Sequence, residues 1–79
     1  MRVLFFAQLK DVTGCAETEL GVAGPADADE LWRQLAGRFP GLSRLRSSVR
    51  LARNCEYAGP DARFADADEV ALIPPVSGG

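Results

Sequence analysis

Glu69-Val70-Ala71-Leu72-Ile73-Pro74-Pro75-Val76-Ser77-Gly78-Gly79 runs from a strand pattern directly into a tail, and each half constrains the fold. Val70 and Leu72 share one face of an extended chain and Ala71 and Ile73 the other, because successive side chains alternate. A strand apolar on both faces belongs inside a sheet, one face on the core and the other covered by something else, which can be another protein. In the second half, two prolines fix φ and hold the backbone in a polyproline-like form, so Pro74 and Pro75 leave the strand as a short stiff arm. Val76 and Ser77 extend it. Gly78 and Gly79 carry no Cβ, so such an end threads a channel too narrow for any other residue and leaves its carboxylate open from every side. Small polar residues are common at frayed termini; what sets this one apart is its attachment to an apolar strand through Pro74-Pro75-Val76. The expected division is a folded domain over residues 1-73 and an extended, flexible Gly-Gly tail over residues 74-79.

The other end of the chain mirrors the strand. Val3 to Gln8 is short, apolar and aromatic, with Val3, Phe5 and Ala7 on one face and Leu4 and Phe6 on the other, again apolar on both sides. Between these two strands lies one strong helix signal. Asp27, followed three places on by Glu30, has the capping-box spacing, and Ala28, Leu31, Trp32, Leu35, Ala36 and Phe39 recur as one apolar stripe, with Trp32 read as core. Pro40 forbids continuation past Phe39. Glu17 to Val22 alternates as a half-exposed strand, Val49 to Arg53 as another, and Asn54-Cys55 turns the chain into Glu56-Tyr57-Ala58. Gly41 to Ser48 is expected as connection, with Leu42 and Leu45 tucked beneath it, and Phe64 as a loop anchor. One helix with one stripe covers only one face of a sheet, which gives an α+β domain whose opposite face stays open. On that face Phe6 and Ile73 become neighbours if the first and last strands pair, and they are the expected partner-contacting residues.

Composition narrows the function. A chain of 79 residues hides only about 60% of its unfolded surface, too little for a buried catalytic cavity as well as a core. Nine basic against eleven acidic side chains give a net charge of -2, which argues against nucleic acid or an anionic membrane as partner. Arg44, Arg46, Arg50 and Arg53 are spaced as the solvated side of a loop and strand. There is no histidine, and Cys15 and Cys55 are single, so no metal site is expected. A reducing cytoplasm suits both thiols. Met1 to Ala7 is too short an apolar run for a signal peptide or a membrane span, so the expected location is cytoplasmic. No phosphate-binding Gly-x-x-x-x-Gly-Lys run occurs, so no nucleotide site is expected on the chain itself.

Val3-Leu4-Phe5-Phe6-Ala7-Gln8-Leu9, the turn Asn54-Cys55-Glu56-Tyr57, Asp68-Glu69-Val70-Ala71-Leu72-Ile73 and the ending Pro74-Pro75-Val76-Ser77-Gly78-Gly79 together resemble the small subunits of molybdopterin synthases, sulfur carriers of the MoaD/ThiS type. The resemblance spans nearly the whole chain and is strongest at its two ends; the family's usual glycine between the two aspartates before the last strand is Ala67 here. It implies a ubiquitin-like β-grasp fold, a mixed sheet with its main helix on one face and the first and last strands parallel and adjacent.

It also implies a mechanism. A carboxylate is a poor electrophile, so Gly79 would be activated with ATP as an acyl-adenylate by a ubiquitin-activating-type adenylyltransferase and then converted to a thiocarboxylate. The charged tail would enter the large subunit of the synthase, in a heterotetramer, and give its sulfur to cyclic pyranopterin monophosphate for molybdenum cofactor biosynthesis. On this reading the chain is a sulfur-donating subunit without catalytic groups of its own: Gly79 reacts, Gly78 supplies slimness, and Pro74 and Pro75 supply reach. A thiamine-type sulfur carrier and a ubiquitin-like protein modifier or interaction module share the Gly-Gly end. Phe5-Phe6 and the Pro-Pro-Val-Ser approach favour the molybdopterin branch.

Overall fold

Two strands form the centre of the sheet, and they are the two expected to be apolar on both faces. In the computed structural model, which describes residues 1–59 and 61–74, strand β1 (Arg2–Phe5) and strand β5 (Glu69–Ile73) pair in parallel, Val3 opposite Val70 and Phe5 opposite Leu72. Strand β2 (Glu17–Glu19) lies antiparallel outside β1, while β3 (Arg50–Arg53) lies antiparallel to β5 and carries β4 (Glu56–Tyr57) at its far side. The sheet order β2-β1-β5-β3-β4 is the mixed arrangement of a β-grasp domain. Asn54 and Cys55, which close the β3–β4 hairpin, both have positive φ, 51° and 72°, the pattern whose twist matches a two-residue hairpin.

The main helix, α2 (Ala28–Arg38), starts where Asp27 accepts a 2.9 Å bond from the Glu30 amide and stops at Phe39, ahead of Pro40. It buries Leu31, Trp32 and Leu35 against the sheet face that carries Val3, Phe5, Val70 and Leu72. Phe39 closes one end of this layer, its ring edge-on to Phe5 at 5.4 Å between centroids. Phe64 is fully buried and held by a two-way backbone bridge to Ala26. Truncating a fully buried Leu such as Leu72 or Leu35 to Ala costs about 2–5 kcal/mol through lost burial and the cavity left behind.

Three stretches differ from the sequence reading. β1 stops at Phe5 instead of reaching Gln8. The Phe6 carbonyl accepts from the Leu9 amide at 3.0 Å with Ala7 at φ 51°, ψ -129°, a type II′ turn that throws the chain into the short helix α1 (Gln8–Thr13). β2 stops at Glu19 instead of Val22: Leu20 still exchanges ladder bonds with Met1, but the Val22 amide turns to the Asp66 carboxylate. The expected connection after Pro40 is a 3₁₀ helix over Pro40–Ser48 that buries Leu42 completely. Its Gly41 has a packing reason, since a Cβ there would lie 3.0 Å from a methyl of Val12 on α1.

Candidate functional site: the open face and the root of the tail

Helix α2 covers one side of the sheet, and the other side presents Leu4, Ala71, Ala52 and Tyr57 in register across β1, β5, β3 and β4. Together with Phe6 and Ile73 they line a shallow groove of about 320 Å³. Phe6 is 46% exposed and Tyr57 67%, so two aromatic side chains stand in solvent on a face that also holds half-buried Leu4, Ala71 and Ile73. Such a cluster marks a contact surface more than it does a monomer's ordinary exterior. Phe6 and Ile73, the two residues expected to meet here, both line the groove.

Phe6 owes its exposure to the turn. With Ala7 at a φ that side chains rarely adopt, the chain bends directly after Phe6, and its ring is left on the rim instead of continuing the strand. Ile73 owes its place to β5: it is the last strand residue, directly across from Arg50 on β3. Pro74 follows at once and is half-buried. The remaining tail residues of the sequence reading, Pro75, Val76, Ser77, Gly78 and Gly79, lie outside the described residues.

Three polar clusters hold the face in shape. At its β2 end Arg2 donates to Glu17 at 2.8 Å and to Glu69 at 3.1 Å; the Glu17 bond and charge, then Glu69, hold its guanidinium pKa above the ordinary value. In the loop before β5, Asp66 accepts from the Val22 amide at 3.2 Å and the Met1 ammonium at 3.3 Å. These partners hold its carboxyl below the usual range, the Val22 amide first. Asp68 accepts from the Ala65 amide at 2.8 Å and the Asn54 side chain at 3.1 Å, and is depressed by them in that order. Ala67, between these aspartates, is not among the residues with positive φ, so alanine sits there without strain.

Tyr57 was the contributor least visible in the sequence. A two-residue strand has too little alternation to declare a face; only its register with Ala52 shows that the Tyr57 ring belongs to the groove. Cys55 also lines it, and Cys15 is half-buried beside the Thr13 hydroxyl.

The ThiS family matches residues 3–79. The molybdopterin synthase sulfur carrier subunit of Arabidopsis thaliana is 37% identical over 79 residues, an alignment covering all of this chain and 82% of the relative. Among solved structures, the small archaeal modifier protein 1 of H. volcanii superposes with a TM-score of 0.83 at 32% identity, covering 96% of this chain and 97% of that one. A protein–protein complex of subunits 1 and 2 of molybdopterin-converting factor from Helicobacter pylori 26695 contains a chain that matches with a TM-score of 0.68 at 25% identity, covering 99% and 96%.

Proposed function

The chain belongs to the ThiS family, and from that premise we propose that it is the sulfur carrier subunit of a molybdopterin synthase. The observation that carries this reading is likeness over the whole chain to proteins named for that role, at 37% identity in Arabidopsis thaliana. The geometry agrees with it: an open apolar face suited to a protein partner, and a central strand that delivers Pro74 at the edge of that face. The large subunit of the synthase occupies the face, as the likeness to a chain of a two-subunit molybdopterin-converting complex supports. A heterotetramer with that subunit, an adenylyltransferase as activating partner and a cytoplasmic location complete the proposal; among the described residues no helix is long and apolar enough to cross a membrane.

In this reading Gly79 is the reacting residue. Its carboxylate attacks the α-phosphorus of ATP on the activating partner, pyrophosphate leaves, and a sulfur nucleophile then displaces AMP from the acyl-adenylate to leave a thiocarboxylate. The thiocarboxylate sulfur then bonds to cyclic pyranopterin monophosphate in the large subunit, and water cleaves the resulting thioester, leaving the sulfur on the pterin and returning Gly79 as a carboxylate, while side chains of the large subunit move the protons. Gly78 keeps the tail narrow, Pro74 and Pro75 supply reach with little conformational freedom left to lose on insertion, and Val76 and Ser77 extend them. Neither Cys15 nor Cys55 takes part, because the carboxylate route needs no thiol of this chain.

Incubating the purified thiocarboxylate form with its large subunit and the pterin precursor should transfer sulfur, whereas a chain lacking Gly79 should transfer none. One residue of extended chain spans about 3.3 Å, and misplacing a reacting atom by about 1 Å can already cost 100-fold. Normal transfer by the shortened chain would refute Gly79 as the reacting residue. The likeness to small archaeal modifier protein 1 keeps a second reading in view, in which Gly79 forms an isopeptide bond with a lysine of another protein. Intact-mass measurement separates the two: one oxygen replaced by sulfur marks the carrier, and conjugates to other proteins mark the modifier.

A further inference from the structure

Arg50 is the cross-strand partner of Ile73, and its guanidinium carbon lies 5.6 Å from the centre of the Tyr57 ring. The register puts Arg50 on the groove side of the sheet, one residue pair away from where Pro74 begins the tail. The open face carries a second arginine, Arg2, and the two are treated differently. Arg2 is neutralised by Glu17 and Glu69, whereas among the described residues no carboxylate pairs with Arg50. Elsewhere Arg33 pairs with Glu30 and Arg46 with Asp29. The open face therefore has a sign at each end, two carboxylates around one guanidinium beside β2 and, among the described residues, a guanidinium without a carboxylate partner at the root of the tail.

Resting on the proposed function, the geometry points to Arg50 as a docking residue that receives a carboxylate of the large subunit beside the mouth of its channel. A guanidinium stacked on an aromatic face keeps its planar fork of donors free and loses little freedom when a carboxylate arrives. An apolar groove by itself gives attraction without direction, because burial is non-directional. Opposite charges at its two ends add the direction: an acidic group at the channel mouth meets Arg50, and a basic group at the far side meets Glu17 and Glu69. A partner rotated end for end would meet like charges at both places. Arg50 thus sets which way the face is presented, and with it which way the tail points.

The test measures association of the native chain and of Arg50→Met, Arg50→Lys and Arg50→Glu with the cognate large subunit at low and high salt, with circular dichroism checking that each variant is folded. Met keeps an apolar stem against Tyr57 and removes the charge together with the fork of donors. Arg50→Met should slow association by about 3- to 10-fold at low salt, with most of the difference gone near about 0.5 M salt, as screening of an exposed pair requires. Arg50→Lys should recover only part of the rate, because it keeps the charge but not the fork, and Arg50→Glu should be slowest. Association of folded Arg50→Met at the native rate and with the native salt dependence would overturn the role of Arg50 and leave the proposed function standing. If the native chain itself failed to bind the large subunit, both would fall.

Discussion

Asn54 and Asp68 are joined side chain to side chain, the Asn54 amide nitrogen donating to Asp68 Oδ1 at 3.1 Å while the Asn54 amide oxygen accepts from the backbone of Glu69 at 3.0 Å. Through these two bonds the β3–β4 turn holds the start of β5, the strand that carries the tail. Asparagine suits the place twice over, since Asn54 also has φ 51°, a conformation it tolerates better than most residues.

Replacing Asn54 with Ala removes both bonds and the residue's tolerance of positive φ. We expect a loss of about 1–2 kcal/mol, read as a fall of roughly 5–10 °C in the melting temperature of a domain this size. An unchanged melting temperature would show that the turn and the strand are not coupled.

Ala7 sits at φ 51°, ψ -129°, the first central position of a type II′ turn, where glycine is favoured. Ala7→Gly should raise stability by about 0.5–1 kcal/mol in denaturant titrations, because the relief of strain exceeds the extra freedom glycine gains in the unfolded chain. A destabilised variant would mean that the turn is not under strain.

Phe6, nearly half exposed on the rim of the groove, should matter to binding and not to folding. Phe6→Asp is expected to weaken affinity for the large subunit by about 2 kcal/mol, the loss typical of an interface anchor, with the melting temperature of the free domain held. Unfolding of the variant would place Phe6 in the core.

Asp66 and Asp68 both have folded-state pKa values below the ordinary 3.8. A carboxyl with a depressed folded pKa adds stability that is fully present above its unfolded value and is lost as pH falls through the folded one. Melting temperature should therefore fall as pH drops below about 4. The Asp66→Asn, Asp68→Asn double variant should be less stable at neutral pH and show a flatter acid limb. Parallel acid limbs for variant and native chains would assign the acid sensitivity to other groups.

Much of the domain could be read from side-chain alternation and caps. Val70, Leu72, Ala71 and Ile73 declare two apolar faces because β5 is long enough for period-2 alternation to register, and Asp27 marks the helix start through a bond made three residues away. What the sequence hid depends on partners distant in the chain. Nothing near Gln8 announces that Ala7 adopts a glycine-like φ, and the expected strand therefore overran its end. Arg50 read as a solvated strand residue and Tyr57 only as part of the segment after the turn, until pairing with Ile73 and Ala52 put them on the open face. Of the expected site, Phe6 and Ile73 line the same groove, Pro74 follows β5, and Pro75 to Gly79 lie outside the described residues.

The central position of β5 has a mechanical consequence. Traction applied through Pro74 along the strand axis loads the hydrogen bonds to β1 and to β3 in shear, so the ladders on both flanks resist together. A terminus leaving an edge strand would instead be unzipped from a single neighbour, one bond after another. On the proposed function, a carrier drawn into one channel and withdrawn for the next would be tugged by the same end each cycle. Placing that end on the strand held from both sides lets the domain act as a rigid grip.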